Sequence, residues 1–545
     1  MADTTYDAEI ERDLQKRYRQ PNGVEHFGIE AVPESRKTVK WYDLFSIILN
    51  FLVNPGTILR GGLGVAAGLS FQGSLLAECC GIVIASSFYV VMATVGVDYG
   101  IPGQVATRAV YGLRGSKLVP SFLRSIASCY WFAFQTMIGA TAIVAVLEKL
   151  TGVHYSLVLV SVIFGIVQAL VAIIGYDSLK VLSRVALPVK LVIFIYLFTM
   201  LANQADPNFA PSAVLSFPGT KGWNWVIFVA WLNASAAGWL TMITDSADFC
   251  RYSRSRTDMW VGTLSAAAIG TFVAGALGAY AAAAVLGKTG NPFVIIAGVS
   301  TSWLTMITDS ADFCRYSRSR ADMWIGTVSA AAVGTMVSGS LGAYAAAATL
   351  GKTANPFVLI AGISTSWITL ALILVFIALD NWTINVLNLY TGGLSISNMF
   401  ERLGRFWTTL IASVFGIALS AVPDVLNSYL SYATLLGNVF SPIAGVLVFD
   451  YVILKRTRLD VPALFTLNGR YRYWGGFNLV AIAWTAIGFL FYMFVVPPAW
   501  IPTLCTVVFS GVGYTLTALA ISGRSRIMQI GSEPAEPVAV PAAAD

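Results

Sequence analysis

Long apolar runs, separated by short polar stretches, dominate the pattern of this chain. Fourteen such runs lie between residues 42 and 522, and most of them reach the roughly 20 residues with which a helix crosses a bilayer. They are continuous rather than alternating at every second position, which predicts helices and not the strands of a barrel. The runs lie near residues 42–66, 69–95, 119–148, 156–176, 183–203, 223–246, 259–286, 292–313, 323–350, 356–390, 406–422, 427–454, 473–496 and 499–522. The pattern predicts an all-α polytopic membrane protein.

The two ends of the chain lack these runs. Residues 1–41 are polar and charged, and residues 523–545 are rich in proline and alanine, a composition typical of a disordered tail. We therefore expect an N-terminal segment over 1–41, a transmembrane domain over 42–522 and a tail over 523–545.

Basic residues fall mainly into every second loop. With the N-terminus inside the cell, the inward loops carry most of the arginine and lysine, and the outward loops carry little. The inward set is Arg108, Arg114, Lys117, Arg124, Lys180, Arg184, Arg251, Arg254, Arg256, Arg402, Arg405, Lys455, Arg456, Arg458, Arg470 and Arg472. This asymmetry predicts a multi-pass protein of the plasma membrane with both termini in the cytoplasm.

The composition supports the prediction of a membrane protein and argues against nucleic-acid binding, metal binding and catalysis. Hydrophobic residues make up 57% of the chain and charged residues 11%, whereas soluble domains carry roughly a quarter charged residues. The net charge of +6 follows from the loop asymmetry, so we expect no nucleic-acid partner. Two histidines, and six cysteines without metal-ligand spacing, predict no bound metal or cofactor. No intramembrane catalytic constellation is visible, so we expect no enzyme. The oligomeric state stays open.

One stretch, WLTMITDSADFCRYSRSR, occurs twice without change, at 239–256 and at 303–320. It opens a 64-residue unit, residues 239–302, which recurs as residues 303–366 with 53 identical positions. The second unit adds two predicted crossings, an even number, so every later span keeps its orientation. We interpret the repeat as an internal duplication, or an error in the gene model, laid over an ordinary 12-span protein.

The first predicted span is interrupted by residues that disfavour a continuous helix. Asn50, Asn54, Pro55 and Gly56 fall in its middle. A broken helix in a transporter exposes backbone carbonyls where ions and substrates bind. A simple proline kink is the alternative interpretation.

Two later spans carry polar side chains that share a helix face. Trp131 and Gln135 are four residues apart, and an indole beside a primary amide suits a flat heterocycle that stacks and forms hydrogen bonds. Asn385 and Asn388 are three residues apart, and Thr383 precedes them. The alternatives are a tryptophan at the membrane interface with a helix-packing glutamine, and asparagines that bond neighbouring helices.

Lys190 lies within a span, where an unpaired charge is costly. Its ammonium group could take the place of a bound cation. Alternatively, the long side chain could extend to the membrane surface and leave only its methylene groups in the apolar region. The latter interpretation is slightly favoured by the sequence.

Four motifs, in this order, resemble the nucleobase–cation symporter family, in its purine–cytosine permease branch. They are GIEAVP at 28–33, the stretch from YGIPGQVATRAVYG to CYWFAFQT at 99–136, GWLTMITDSADFCRY at 238–252, and NWTINVLNLY at 381–390. The resemblance covers residues 25–500. It implies 12 spans, with two inverted five-helix repeats and two further helices, to which the duplication would add two.

The resemblance also implies a site. Trp131 and Trp239 would sandwich the substrate, while Gln135, the backbone of Gly238, Asn385 and Asn388 would bind its polar edge. A coupling cation, H⁺ or Na⁺, would lie near Asn54 and Thr383. Because Ile384 follows Thr383 where sodium-coupled members have a second hydroxyl, Lys190 makes proton coupling a serious alternative.

The expected function is secondary active import of a nucleobase, cytosine or a purine, with that cation. Allantoin, a hydantoin or a vitamin pyrimidine would fit the same aromatic sandwich, and a duplicated form without transport activity is a further alternative. Trp239 follows a glycine, whereas Trp303 follows Ser302, so we assign function to the first copy.

Overall fold

The computed structural model describes residues 12–22, 27–33, 37, 65, 67–174, 176–203, 211–240, 366–427, 429–497 and 499–521. Nearly all of the first predicted span, including Asn54, lies outside these residues. So do the tail and nearly all of the repeated unit, residues 241–365. The predictions of a broken first span and of two additional spans therefore stay predictions.

Ten long α-helices form the described part, which contains no strand beyond one isolated bridge between Trp474 and Phe477. The prediction of an all-α chain is confirmed for these residues. The helices are α1 (Phe71–Tyr99), α2 (Phe122–Thr151), α3 (Leu157–Ile174), α4 (Tyr176–Ala202), α5 (Trp225–Leu240), α6 (Trp367–Met399), α7 (Gly404–Ser420), α8 (Tyr429–Phe449), α9 (Leu479–Phe494) and α10 (Pro502–Ile521).

Local signals explain where several helices begin and end. The hydroxyl of Ser70 accepts a hydrogen bond from the Gly73 amide at the start of α1, and Gly100 ends that helix with a φ of 66°. α9 begins six residues later than the apolar run because Gly475 and Gly476 make a turn at positive φ. Asn478 then caps the helix by accepting from the Ala481 amide.

A chain of short helical turns leads into α2, in a stretch that the sequence indicated as a polar loop. Its members are Gly103–Ala106, Arg108–Tyr111, Leu113–Ser116 and the π-helical turn Lys117–Ser121. Pro120 lies in that last turn and cannot donate a backbone hydrogen bond, which accounts for the wider π-type winding.

Helix α3 exposes large apolar side chains and has small and polar side chains among its buried residues. The buried face of α3 carries Ser161, Gly165 and Gln168, whereas Leu159 and Leu170 are among its exposed residues. Such a face suits hydrocarbon and not water. Within the described residues, five helical stretches are long and apolar enough to cross a membrane: Leu113–Thr151, Leu157–Ile174, Trp367–Met399, Leu435–Leu454 and Pro502–Ile521.

Helix α6 packs against α2, α3, α4 and α7 and so lies at the centre of this part of the fold. Two glycines allow the closest approaches. A Cβ on Gly392 would lie 2.9 Å from the Ser128 Cβ, and one on Gly393 would lie 3.0 Å from the Thr409 Cα. Small residues bring membrane helices together in this way because lipid offers little hydrophobic drive for their association.

Candidate functional site

The candidate site lies where α2 and α6 pack side by side in opposite directions. Arg124 of α2 donates to Thr391 of α6 (3.0 Å), and further along the pair Asn385 of α6 donates to Thr136 of α2 (3.0 Å). Trp131, Gln135 and Asn388 fall between these two contacts. The structure therefore brings three of the residues predicted to bind substrate to the same stretch of one helix pair.

Trp131 is completely buried and sits in an aromatic cluster. Its ring meets those of Tyr130 and Phe134 edge-on, at centroid distances of 5.5 and 5.6 Å. The interpretation of Trp131 as a side chain at the membrane interface is wrong, because the side chain is inaccessible to solvent and its ring packs against Tyr130 and Phe134. Its indole face is held in one orientation, as stacking on a flat ligand requires.

Gln135 is also buried, at 1% exposure. Both its amide nitrogen and its amide oxygen lack hydrogen-bond partners among the described residues. A buried primary amide without partners is costly, by about 1–3 kcal/mol for each group left unsatisfied. Such groups in a protein interior indicate a place that a ligand, water or another part of the chain completes.

Asn385 is the centre of a hydrogen-bond network that joins three helices. Its Nδ2 donates to Gln168 Oε1, to Thr136 Oγ1 (3.0 Å) and, more weakly, to the carbonyl of Phe132 (3.4 Å). Its Oδ1 accepts from Asn388 Nδ2 at 3.1 Å. Both ends of the Asn385 amide are thus used by protein groups, as the helix-bonding alternative supposed for this residue.

Asn388 extends this network but is not fully satisfied by it. Its Oδ1 is buried and has no hydrogen-bond donor in the part of the chain that the structure describes. The groups left available for a ligand are therefore the Asn388 oxygen and the Gln135 amide. The roles of Gln135, Asn385 and Asn388 in substrate binding remain predictions.

Gln168 is a member of this network that sequence reasoning missed. A signal was present, because Gln168 is the one amide side chain in LVLVSVIFGIVQALVAII, the sequence of α3. A single amide in such a helix must find a partner inside the protein.

Two further residues that were predicted to bind substrate belong to α5. Gly238 and Trp239 lie in the last turn of α5, which ends at Leu240. The Trp239 side chain, like Trp303 and Asn54, lies outside the described residues.

Lys190 of α4 forms a buried ion pair with Asp380 of α6. Its Nζ lies 2.7 Å from Asp380 Oδ1, and both side chains are inaccessible to solvent. The ammonium also lies 5.7 Å from the centre of the Phe376 ring. The interpretation of Lys190 as reaching the membrane surface is therefore wrong, because a carboxylate on the neighbouring helix compensates its charge inside the bundle.

Asp380 also connects this pair to Thr383. The Thr383 hydroxyl donates to the backbone carbonyl of Asp380 at 2.8 Å and to that of Leu379 at 3.1 Å. Lys190 and Thr383, both predicted near the coupling cation, thus converge on one turn of α6. Asp380 was missed although a carboxylate inside an apolar run is conspicuous.

A separate charged cluster joins the short turns that precede α2 to the segment between α6 and α7. Arg108 Nη2 and Lys117 Nζ contact Glu401 Oε1 at 3.0 and 2.7 Å. Partial burial opposes ionisation of Glu401, but the two cations prevail and hold the pKa of its carboxyl below the ordinary value. Arg108 also donates to Asn398 at 2.7 Å, which ties the cluster to the end of α6.

A family model described as permease for cytosine/purines, uracil, thiamine, allantoin matches residues 31–294 and 292–510. The chain belongs to this family. Its members are permeases rather than enzymes, and the membrane character of the helices agrees with that.

Similar proteins include a hydantoin permease of Microbacterium maritypicum, 26% identical over 76% of this chain and 72% of its own length. A purine-uracil permease of Arabidopsis thaliana is 23% identical over 85% and 70%. An allantoin permease of Bacillus subtilis is 24% identical over 88% of both chains.

Among solved structures, the chain resembles Mhp1, a nucleobase-cation-symport-1 family transporter in a closed conformation with bromovinylhydantoin bound. The TM-score is 0.66, with 21% identity, over 90% of this chain and 96% of the other. This likeness confirms the predicted transporter fold.

Proposed function

We propose that the chain imports a nucleobase, cytosine or a purine, by secondary active transport coupled to a cation. The observation that carries the proposal is the buried set formed by Trp131, Gln135 and Asn388. An enclosed indole provides a stacking face, and the unsatisfied amide groups provide donors and acceptors for the polar edge of a flat ring. The membrane in which it works is the plasma membrane, with both termini in the cytoplasm.

A second candidate is a hydantoin, allantoin or a vitamin pyrimidine. It is favoured by the relatives named hydantoin permease and allantoin permease, which are 26% and 24% identical to this chain, against 23% for the purine-uracil permease. All of these ligands offer hydrogen-bond donors and acceptors along a polar edge to the same side chains, so the site residues are the same under either candidate.

The coupling ion is a proton or a sodium ion, and the ion pair Lys190–Asp380 favours the proton. A buried ammonium beside a buried carboxylate already balances charge, and one oxygen of Asp380 has no hydrogen-bond partner in the described ranges. A proton on that oxygen would release Lys190 from the pair. Two uptake measurements distinguish the ions: one with a protonophore, which removes the proton gradient, and one with sodium replaced by choline, which removes the sodium gradient.

Labelled uptake in cells without their own base permeases tests the proposal. The complete chain is compared with a version lacking residues 303–366, with cytosine first, then adenine, hypoxanthine, allantoin and a hydantoin. Transport by both versions supports the proposal and indicates that the repeat is tolerated. Transport by the shorter version alone indicates that the duplicated form is inactive. Failure of both with every compound refutes the proposed substrate class.

A further inference from the structure

The N-terminal segment folds against one end of the helix bundle, and the proposed transport site makes no use of it. Its two described stretches, residues 12–22 and 27–33, form one piece, which we call the N-terminal brace. The Tyr18 hydroxyl donates to Glu30 Oε1 at 2.6 Å and so joins the first stretch to the second. An apolar cluster does the same, and its members are Leu14, Tyr18, Phe27 and Val32. The brace contains GIEAVP, the one recognised motif to which no role has been given.

The brace is attached to the last turn of α1. The backbone amide of Val32 donates to the Gly100 carbonyl at 2.9 Å. Lys37, which follows the brace and is 6% exposed, donates its Nζ to the Val97 carbonyl at 3.1 Å. The last carbonyls of a helix lack partners within the helix and attract cations. A backbone hydrogen bond and a buried ammonium therefore hold the brace firmly to α1.

The brace also lies against the turn between α6 and α7. A Cβ on Gly404, the first residue of α7, would lie 2.6 Å from the Tyr18 Cβ. A Cβ on Gly28 would lie 3.7 Å from the Arg405 Cβ. A cavity of about 580 Å³ remains between the brace and the turn, lined by residues of both. The second attachment is therefore interrupted by open space, unlike the first.

A shared cation adds to the second attachment. Arg108 pairs with Glu401, in the turn between α6 and α7, and donates to Asn398 of α6. Burial lowers the pKa of Arg108 to about 10, and the carboxylates of Glu401 and Glu30 oppose that shift. Because Glu30 belongs to the brace, the charge on Arg108 draws the brace toward the end of α6.

The two attachments lie on different groups of helices. α1 packs mainly against α5, whereas α6 packs against α2, α3, α4 and α7. The chain passes between the groups at Gly100–Pro102, where Gly100 has a φ of 66°. Alternating access requires one group of helices to rock against another, and short junctions of this kind absorb such motions. The brace spans that junction, and it is in place while Trp131 and Gln135 are buried.

We propose that the N-terminal brace holds the two helix groups together at this end of the bundle, and that it leaves the turn between α6 and α7, while staying on α1, when the site opens to that side. The inference rests on the proposed function, which places this end in the cytoplasm and requires the groups to rock. It adds to that function a part in the transport cycle for the segment before the first span.

The first experiment measures release of the brace with the variant Gly28→Cys. Gly28 is buried, and an added Cβ would meet its neighbours at 3.6 Å or more, so the variant should fold. Inside-out vesicles are treated with a maleimide, with and without a cation gradient and cytosine, or the compound of the uptake series that the chain transports. Peptide mass spectrometry follows labelling at position 28. We expect several-fold faster labelling during transport. Lys16→Cys is the matched control, because Lys16 is an exposed residue of the brace and should be labelled equally fast in both conditions.

The second experiment locks the brace in place. In the double variant Gly28→Cys/Arg405→Cys the two Cβ atoms would lie 3.7 Å apart, a distance that suits a disulfide. Copper phenanthroline forms the bond, mass spectrometry of the linked peptides gives its yield, and dithiothreitol removes it. We expect uptake to fall to the fraction that is not cross-linked and to return on reduction. The two single variants, treated in the same way, control for the loss of Arg405 and for oxidation of the native cysteines.

Several results would overturn the inference. Full uptake by the cross-linked protein would show that the brace need not leave the turn, and a disulfide that does not form in protein inserted in the membrane would contradict the docking. Equal labelling of Gly28→Cys at rest and during transport would refute release, and it does so even if the double variant does not reach the membrane. In all three cases an active unaltered chain leaves the proposed function standing. If the unaltered chain takes up none of the compounds, the proposed function is refuted, and the inference falls with it.

Discussion

The buried ion pair between Lys190 and Asp380 allows a quantitative prediction. Asp380→Asn removes the carboxylate and leaves the ammonium of Lys190 inside the helix bundle. Because both side chains are inaccessible to solvent and their charged atoms lie 2.7 Å apart, water cannot screen the loss. Breaking a buried pair from one side costs about 3–5 kcal/mol of the free energy of unfolding.

The double variant Lys190→Met with Asp380→Asn separates this explanation from a general packing defect. It removes both charges together, and apolar or neutral replacements of a buried pair are often tolerated. We expect the double variant to lose about 1 kcal/mol, whereas Asp380→Asn alone and Lys190→Met alone each lose about 3–5 kcal/mol, so the double effect falls far short of the sum of the single effects.

Chemical unfolding of the purified protein in detergent, followed by tryptophan fluorescence, gives the four free energies of the cycle. The reasoning is refuted if the double variant is destabilised by the sum of the single effects, because additivity would mean that the two groups do not interact. Under the proton-coupling proposal, the double variant should also insert normally and lose its response to a proton gradient.

Three further predictions concern other parts of the chain. Trp131→Ala should abolish uptake while membrane levels measured by immunoblot stay normal, because the stacking face is lost; normal uptake would remove Trp131 from the site. Trp303→Ala should leave uptake nearly unchanged, whereas Trp239→Ala should abolish it, and equal damage would show that the second copy lines the pathway. Glu401 has a lowered pKa in the fold, so its contribution to thermal stability is present above the ordinary glutamate pKa of about 4.3 and is lost as the pH falls through the lower, folded value. Glu401→Gln should therefore be less stable than the unaltered protein at pH 7 and equal to it in acid.

Much of the fold was predictable because a bilayer imposes simple rules. Apolar runs of about 20 residues must be helical in lipid, and the runs near 119–148, 156–176 and 183–203 each correspond to one long helix of the structure. Their ends were harder to predict. Helix α6 extends to Met399, well beyond the run that ends near 390, because its last turns are built from small polar residues that pack against other helices rather than lipid.

The partners of the site residues were not predictable. Trp131, Gln135 and Asn388 could be picked out by residue type and helix spacing. Gln168 contacts Asn385, and Asp380 contacts Lys190, and in each pair the two residues lie about 200 positions apart in the sequence. Sequence spacing reveals which side chains share a helix face and not which helices meet. Lys190 is an example. The sequence favoured a side chain that reaches the membrane surface, and this was wrong because the partner of Lys190, Asp380, lies on another helix.

The glycines of α6 have a mechanical consequence. At Gly392 and Gly393 the helix lies against Ser128 of α2 and Thr409 of α7 without a side chain of its own between them, so sliding α6 past either neighbour would drive these residues into its backbone. Closely fitted surfaces of this kind are stiff. We therefore expect these three helices to move as one rigid body. The motions that open the site alternately to the two sides of the membrane should then come from other segments that move relative to them.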